Sequence, residues 1–335
     1  MRNRKKVFIL SLCILTVIVF FLTATLGINP VPLRKVFLIM LAKLKLANFQ
    51  DDFIKTIVIN IRLPRIITAA CVGMSLAAAG AVYQGIFRNP LVEPFILGVS
   101  SGAAFGAALA IVLPSFFFSV ELGAFAVSLL GVFAAYSIAK VRGQTPLVTL
   151  ILAGVVINSL FSALVSVLQY LSTSSELREI IFWLLGGFYY SSWSDVYKIL
   201  PVTLLGLILL WISSWKLNVL SLGDDEARSL GLRSERTKIY FICIATLITS
   251  VSVSVAGIIA WVGLMIPHAA RLILGPDHRY LLPASALMGG IFLMLCDALA
   301  RSVTTSEIPI GIITSIIGAP YIIFLIKTKR KIFYG

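Results

Sequence analysis

The sequence predicts an all-α polytopic membrane protein, a single domain over residues 1–335. Two observations carry that prediction. Hydrophobic residues make up 59% of the chain and charged residues 13%, for a mean hydropathy of +1.01. Apolar segments also recur from Val7 to Ile326, leaving no polar interval long enough for a soluble domain. A helix rises about 1.5 Å per residue, so roughly 20 apolar residues cross a bilayer core, and the chain offers about ten such runs.

The first run, 7–26, follows Arg2, Arg4, Lys5 and Lys6. That order is the opening of a signal peptide, but the run is too long for one and Thr23-Ala24-Thr25 is a poor cleavage site, so it reads as a retained span leaving the cytoplasm. The segment 27–61 is amphipathic, with its apolar 36–41 stretch flanked by Arg34, Lys35, Lys43 and Lys45, and reads as an external surface helix. The second span, 64–83, opens with Pro64, whose missing N–H would have been unpaired in a first helical turn. Spans at 94–113, 122–139 and 147–168 follow. The apolar run 180–188 is too short to cross and reads as a re-entrant or surface helix. The remaining spans are 195–215, 238–258, 259–274, 281–299 and 309–326, the eighth interrupted by Pro267 and His268.

Ten spans that begin inside also end inside. With both termini and the alternating loops in the cytoplasm, that side receives 18 of the 28 Lys and Arg, as the positive-inside tendency requires. Seven external cations between Arg34 and Arg65 run against it. The net charge of +14 is therefore a topology signal, and no basic surface interleaved with aromatics speaks for nucleic acid. Cys13, Cys71, Cys243 and Cys296 lie inside apolar runs without ligand spacing, so each reads as a buried small hydrophobe. A faint repeat, Gly80 to Pro90 and Gly257 to Pro267, suggests the two related halves common in transporters.

No enzyme is legible. The chain lacks a nucleotide-binding G-x-x-x-x-G-K-[ST] loop, an H-E-x-x-H and a G-x-S-x-G, and no cofactor is implied. His268 and His278 are too few for a metal site. Asp297 is the one carboxylate deep in a span, and Arg301 at i+4 can neutralise it. Active transport must then draw on a partner or an ion gradient. The loop 220–232 reads as a short cytoplasmic helix: Asp224 caps it, Asp225 and Glu226 complete an acidic first turn, and Gly231 ends it. Its Leu222, Leu230 and Leu232 either fold back on the bundle or dock a partner. The 84–94 segment is a rigid Gly/Pro turn, and the small residues after Gly98 serve packing or line a path.

These segments together resemble the FecCD-like type II ABC permeases, the permease subunits of bacterial iron–siderophore, haem and vitamin B12 importers. The resemblance rests on Arg62-Leu63-Pro64-Arg65, the 84–94 turn with Leu97-Gly98, and the Gly223 to Gly231 loop. It continues through Gly263 to Arg271, Gly275 to Arg279, Glu307 to Gly311 and Gly318-Ala319-Pro320, covering about residues 7–326. It implies a homodimer or close heterodimer in a bacterial cytoplasmic (inner) membrane, both termini cytoplasmic. Two cytoplasmic ABC ATPase subunits would dock on Gly223, Asp224, Asp225, Glu226, Ala227, Arg228, Leu230 and Gly231. An extracytoplasmic binding protein would meet Arg62, Arg65 and Arg301 on the outer surface, where lipid-headgroup anchoring is the alternative. The helix 147–168 would line the path with Asn158, Ser159, Ser162 and Ser166. A ferric siderophore is the expected cargo, with haem and cobalamin as alternatives. An ion-coupled secondary transporter is the alternative of another class.

Overall fold

A computed structural model describes residues 2–27, 29–43, 51–115, 119–303 and 307–328, and these are helical almost throughout. The helices are α1 (Arg2–Thr25), α2 (Leu33–Lys43), α3 (Asp52–Thr56), α4 (Leu63–Phe87), α5 (Val99–Val112), α6 (Val120–Ala139), α7 (Leu147–Leu171) and α8 (Ser174–Leu185). They continue as α9 (Trp193–Ile212), α10 (Ser214–Leu220), α11 (Asp224–Ser229), α12 (Ser234–Ala256), α13 (Val262–Leu274), α14 (His278–Val303) and α15 (Ile310–Thr328). Among the described residues, seven helical segments are long and apolar enough to cross a membrane: α1, the rod running from α3 into α4, α6, α7, α9, α12 and α14. Three helices, α5, α13 and Ile310–Phe324 of α15, are apolar but shorter.

Two of the short helices are short for a related reason. α4 reaches α5 through a left-handed Arg88 (φ 51°), a 3-10 turn at Pro94–Leu97 and Gly98 (φ 92°). α12 reaches α13 through a non-helical stretch with Gly257 at φ 70° and Trp261 at φ 74°. Such backbone survives at membrane depth only when protein covers it. Here Gly187 donates to Ala256 O (2.8 Å) and Met265 to Trp261 O (2.8 Å). The Gly/Pro spacing does not mark equivalent places: Gly80 lies inside α4 and Gly257 caps α12, while Pro90 sits in a turn and Pro267 inside α13.

α4 is the hub, packed by α14, α12, α13 and α9. Each partner except α14 is tied to it by a buried neutral hydrogen bond: Ser75 with Thr203 (2.9 Å) on α9, Tyr83 with Thr246 (2.9 Å) on α12, and Gln84 Nε2 to Leu264 O (3.1 Å) on α13. Close approach needs glycine at two crossings. A Cβ on Gly73 would collide with the Gly289 carbonyl of α14, and one on Gly80 with that of Gly263 on α13.

The second span starts earlier than Pro64. A π-turn over Ile57–Arg62 joins α3 to α4, with Leu63 N bonding Val58 O. The wider turn accommodates a proline that a regular helix would reject, so the rod runs through it. α2 is the expected surface helix, with Val36 and Ile39 buried; residues 44–50, including Lys45, lie outside the described residues. α8 is the expected non-crossing segment, opened by a capping box between Thr173 and Glu176. Cys71 and Cys296 are buried, but Cys13 and Cys243 are exposed on the outside of the bundle, which corrects the expectation for those two.

Candidate functional site

At the end of the bundle where α4 begins, the three arginines converge. Arg62 comes from the π-turn, Arg65 from the first turn of α4 and Arg301 from the last turn of α14. All are buried, at 5%, 5% and 6% exposure. Asp297 bridges two of them, accepting from Arg65 Nε (2.6 Å) and Arg301 Nε (3.0 Å). Arg65 Nη1 also donates to both oxygens of Glu307, at 3.1 and 2.8 Å. The carbonyls closing α1, at its dipole-negative end, take most of the other donors: Arg301 reaches Thr23 O (2.7 Å) and Leu26 O (3.1 Å), and Arg62 reaches Ala24 O (2.8 Å). Arg62 Nη2 ends on Asn29 O (2.5 Å).

Three guanidinium cations thus face two carboxylates, and one positive charge stays unbalanced. The group floors a cavity of about 280 Å³ with Gly27, Asn29, Ile57 and Ile61, and Arg65 Nη2 has no partner there. The arginines are buried rather than lying on the surface as the sequence suggested. Arg65 also stands 6.0 Å over the Tyr189 ring, whose phenol burial pushes up to about 12. Tyr189 belongs to a larger cavity, about 730 Å³, lined by Glu121, Glu179, Trp183 and Asp195 among others.

The opposite end, where α4 closes, is built differently. α11 ends in a Schellman turn, with Gly231 N on Arg228 O (2.9 Å) and Leu232 N on Ala227 O (2.9 Å), and Gly231 takes φ 81° as its sequence predicts. Its start departs from expectation. Gly223 is the N-cap and no side chain caps the helix; Asp224 instead pairs with the buried Lys238 at 2.7 Å. Ala227 is fully buried in the bundle, so it anchors the corner rather than facing a partner. Gly223 is buried too, whereas Asp225, Glu226, Arg228, Leu230 and Gly231 are exposed, Leu230 at 62%.

Sequence reasoning missed the residues that hold this corner. Glu235 accepts from Tyr136 Oη (2.6 Å) and Thr145 N (3.2 Å), and Lys238 donates to Thr145 O (3.4 Å). Arg279 and the Asn218 amide hold the Asp277 carboxyl well below the usual carboxylate range. The Gly275 to Arg279 segment was the available signal for that second group.

On α7, Ser159, Ser162 and Ser166 are exposed and share one face with Val148, Leu152 and Val155. Their spacing alternates four and three, the period of a helix–helix seam. Asn158 is half-buried at the edge of that face: it accepts from Ser101 Oγ (2.7 Å) and donates to Ile96 O (3.4 Å), tying α7 to α5 and the 3-10 turn. Among the described residues no cluster of His, Cys, Asp and Glu could hold a metal ion.

Residues 15–328 match the model of the FecCD transport family. The chain belongs to that family. It is 47% identical over 277 residues to the cobalamin import system permease BtuC of Halobacterium salinarum, covering 82% of this chain and 74% of that protein. It is 43% identical to the molybdate import system permease MolB of Haemophilus influenzae, covering 84% of each. A metal-chelate type ABC transporter solved in an inward-facing conformation superposes with a TM-score of 0.83 at 38% identity, covering 96% of this chain and 98% of that one. The protein is thus a multi-pass ABC importer permease with the type II fold, a transport component without a catalytic role of its own.

Proposed function

We propose that this FecCD permease is half of a dimeric, ATP-driven importer for a metal chelate in a bacterial cytoplasmic (inner) membrane, both termini inside. The observation that carries the reading is the contrast between the chain's two ends. Outside, a cavity floored by three arginines with one surplus positive charge suits a binding protein that presents glutamates. Inside, exposed Leu222 and Leu230 on a corner braced from below suit two ABC ATPase subunits. The α7 serine stripe would face its counterpart on a second permease subunit and line the path.

The cargo proposed from sequence is a ferric siderophore, and the metal-chelate transporter supports it. The cobalamin permease favours a second reading, and the molybdate permease adds an oxyanion. The experiment is to identify the cognate binding protein and measure which of these ligands it retains. Retention of cobalamin or molybdate in place of ferric siderophores overturns the first cargo. Docking is tested with Arg62→Gln, because Arg62 meets only carbonyls and its loss leaves Asp297 paired. Docking should weaken, and more so at low salt. Leu230→Asp should detach the ATPase by burying an unpaired charge at the contact.

A further inference from the structure

α14 is the most extensive partner of α4, and a buried polar group lies between the two at each end. The outer group is Arg65, Asp297 and Arg301, and midway Gly73 and Gly289 bring the backbones into contact. At the inner end His278, 3% exposed, opens α14 against Gly85 of α4, where an added Cβ would meet its Nε2 at 2.8 Å. His278 N donates to Asn218 Oδ1 at 2.8 Å, and His278 Nδ1 lies 2.8 Å from the same oxygen. An amide oxygen only accepts, so Nδ1 carries the proton. Asn218 Nδ2 in turn donates to Asp277 Oδ1 (2.8 Å), the carboxylate gripped by Arg279. Asn218 belongs to α10, which leads directly to the exposed Leu222 and into α11. One side-chain amide therefore fastens the cytoplasmic corner to the start of α14.

We propose that α4 and α14 form a rigid strut that transmits docking outside to the corner inside, with Asn218 and His278 the positioning pair that joins strut to corner. The proposal rests on the docking roles proposed above. Backbone contact at the glycines and the buried ion pair leave the two helices no freedom to slide separately. A carboxylate entering the arginine cavity must displace both together, because Asp297 on α14 holds Arg65 on α4. At the other end the displacement reaches Asn218 through two hydrogen bonds to one oxygen. Packed helices respond to such pushes as units rather than by local give.

The test is ATP hydrolysis by the reconstituted importer, with and without its binding protein. His278→Leu and Asn218→Leu should lose the stimulation by docking while basal hydrolysis and docking affinity stay at wild-type values. His278→Asn should keep it, because its amide N–H replaces Nδ1–H. A packing role ranks the His278 variants the other way, since Leu fills the ring's volume better. That reversed ranking, or full stimulation of both leucine variants, overturns the strut. In the unsubstituted complex, docking should change amide exchange over residues 214–231, and unchanged exchange overturns it as well. Arg62→Gln separates the two readings. Docking that ignores it removes the docking role, whereas docking that weakens while the leucine variants respond normally removes only the strut.

Discussion

α4 and α7 are both 25 residues long, and α7 is the more hydrophobic, yet 83% of the most apolar stretch of the α4 rod is buried against 28% for α7. Hydrophobicity does not separate them; side-chain size does. α4 carries glycine and alanine along its length, so four helices approach its backbone closely. α7 carries leucine, valine and isoleucine around most of its circumference, and packs inward along one narrow stripe, Leu150, Ala153, Gly154, Ile157 and Val165. In a membrane, where lipid is as apolar as leucine, burial follows the surfaces that fit tightly. A hub helix and a peripheral helix are thereby distinguished within one chain.

The largest effect that should break this comparison is Gly80→Leu. The new side chain meets the Gly263 backbone, which cannot rotate away, so the cost should exceed the ~3 kcal/mol of ordinary overpacking and folded protein should be lost from detergent extracts. The matching change on α7, Ser162→Leu, should leave thermal unfolding unchanged. Next comes Asp297→Ala, which strands Arg301 without a carboxylate and leaves Arg65 only Glu307. Removing one partner of a buried ion pair costs roughly 3–5 kcal/mol, and the loss should show as a lowered unfolding midpoint.

Smaller still is Glu93, in the turn after α4. Burial pushes its carboxyl up, so the folded state favours the protonated form. Its contribution to stability is present below the ordinary carboxylate range and is lost as pH rises through the raised value. Glu93→Gln should therefore stabilise the protein slightly at neutral pH and leave it unchanged in acid, read as midpoint against pH.

Much of this was legible in the sequence, because the spans and the Gly231 turn are local patterns. What was not legible is long-range. The arginines were expected on the outer surface; the carboxylates that bury Arg65 lie 232 and 242 residues away in the chain. Ala227 and Leu230 share a helical phase, but the Schellman turn swings Leu230 outward while Ala227 stays in the core. The π-turn at Ile57–Arg62 leaves no hydrophobic periodicity to detect. Asn158 stands between the buried Ile157 and the exposed Ser159, and its bonds to Ser101 and Ile96 draw it toward α5.

The exposed α7 stripe is the central claim, and single cysteines test it most directly once the native cysteines, including the exposed Cys13 and Cys243, are replaced. Cysteines at Ser159, Ser162 and Ser166 should react with a small water-soluble thiol reagent in the assembled importer, and their rates should change when ATP is trapped. A cysteine at Asn158 should stay inert. Inertness at all three serine positions in both nucleotide states, or equal reactivity at Asn158, would contradict the assignment of this face to the path.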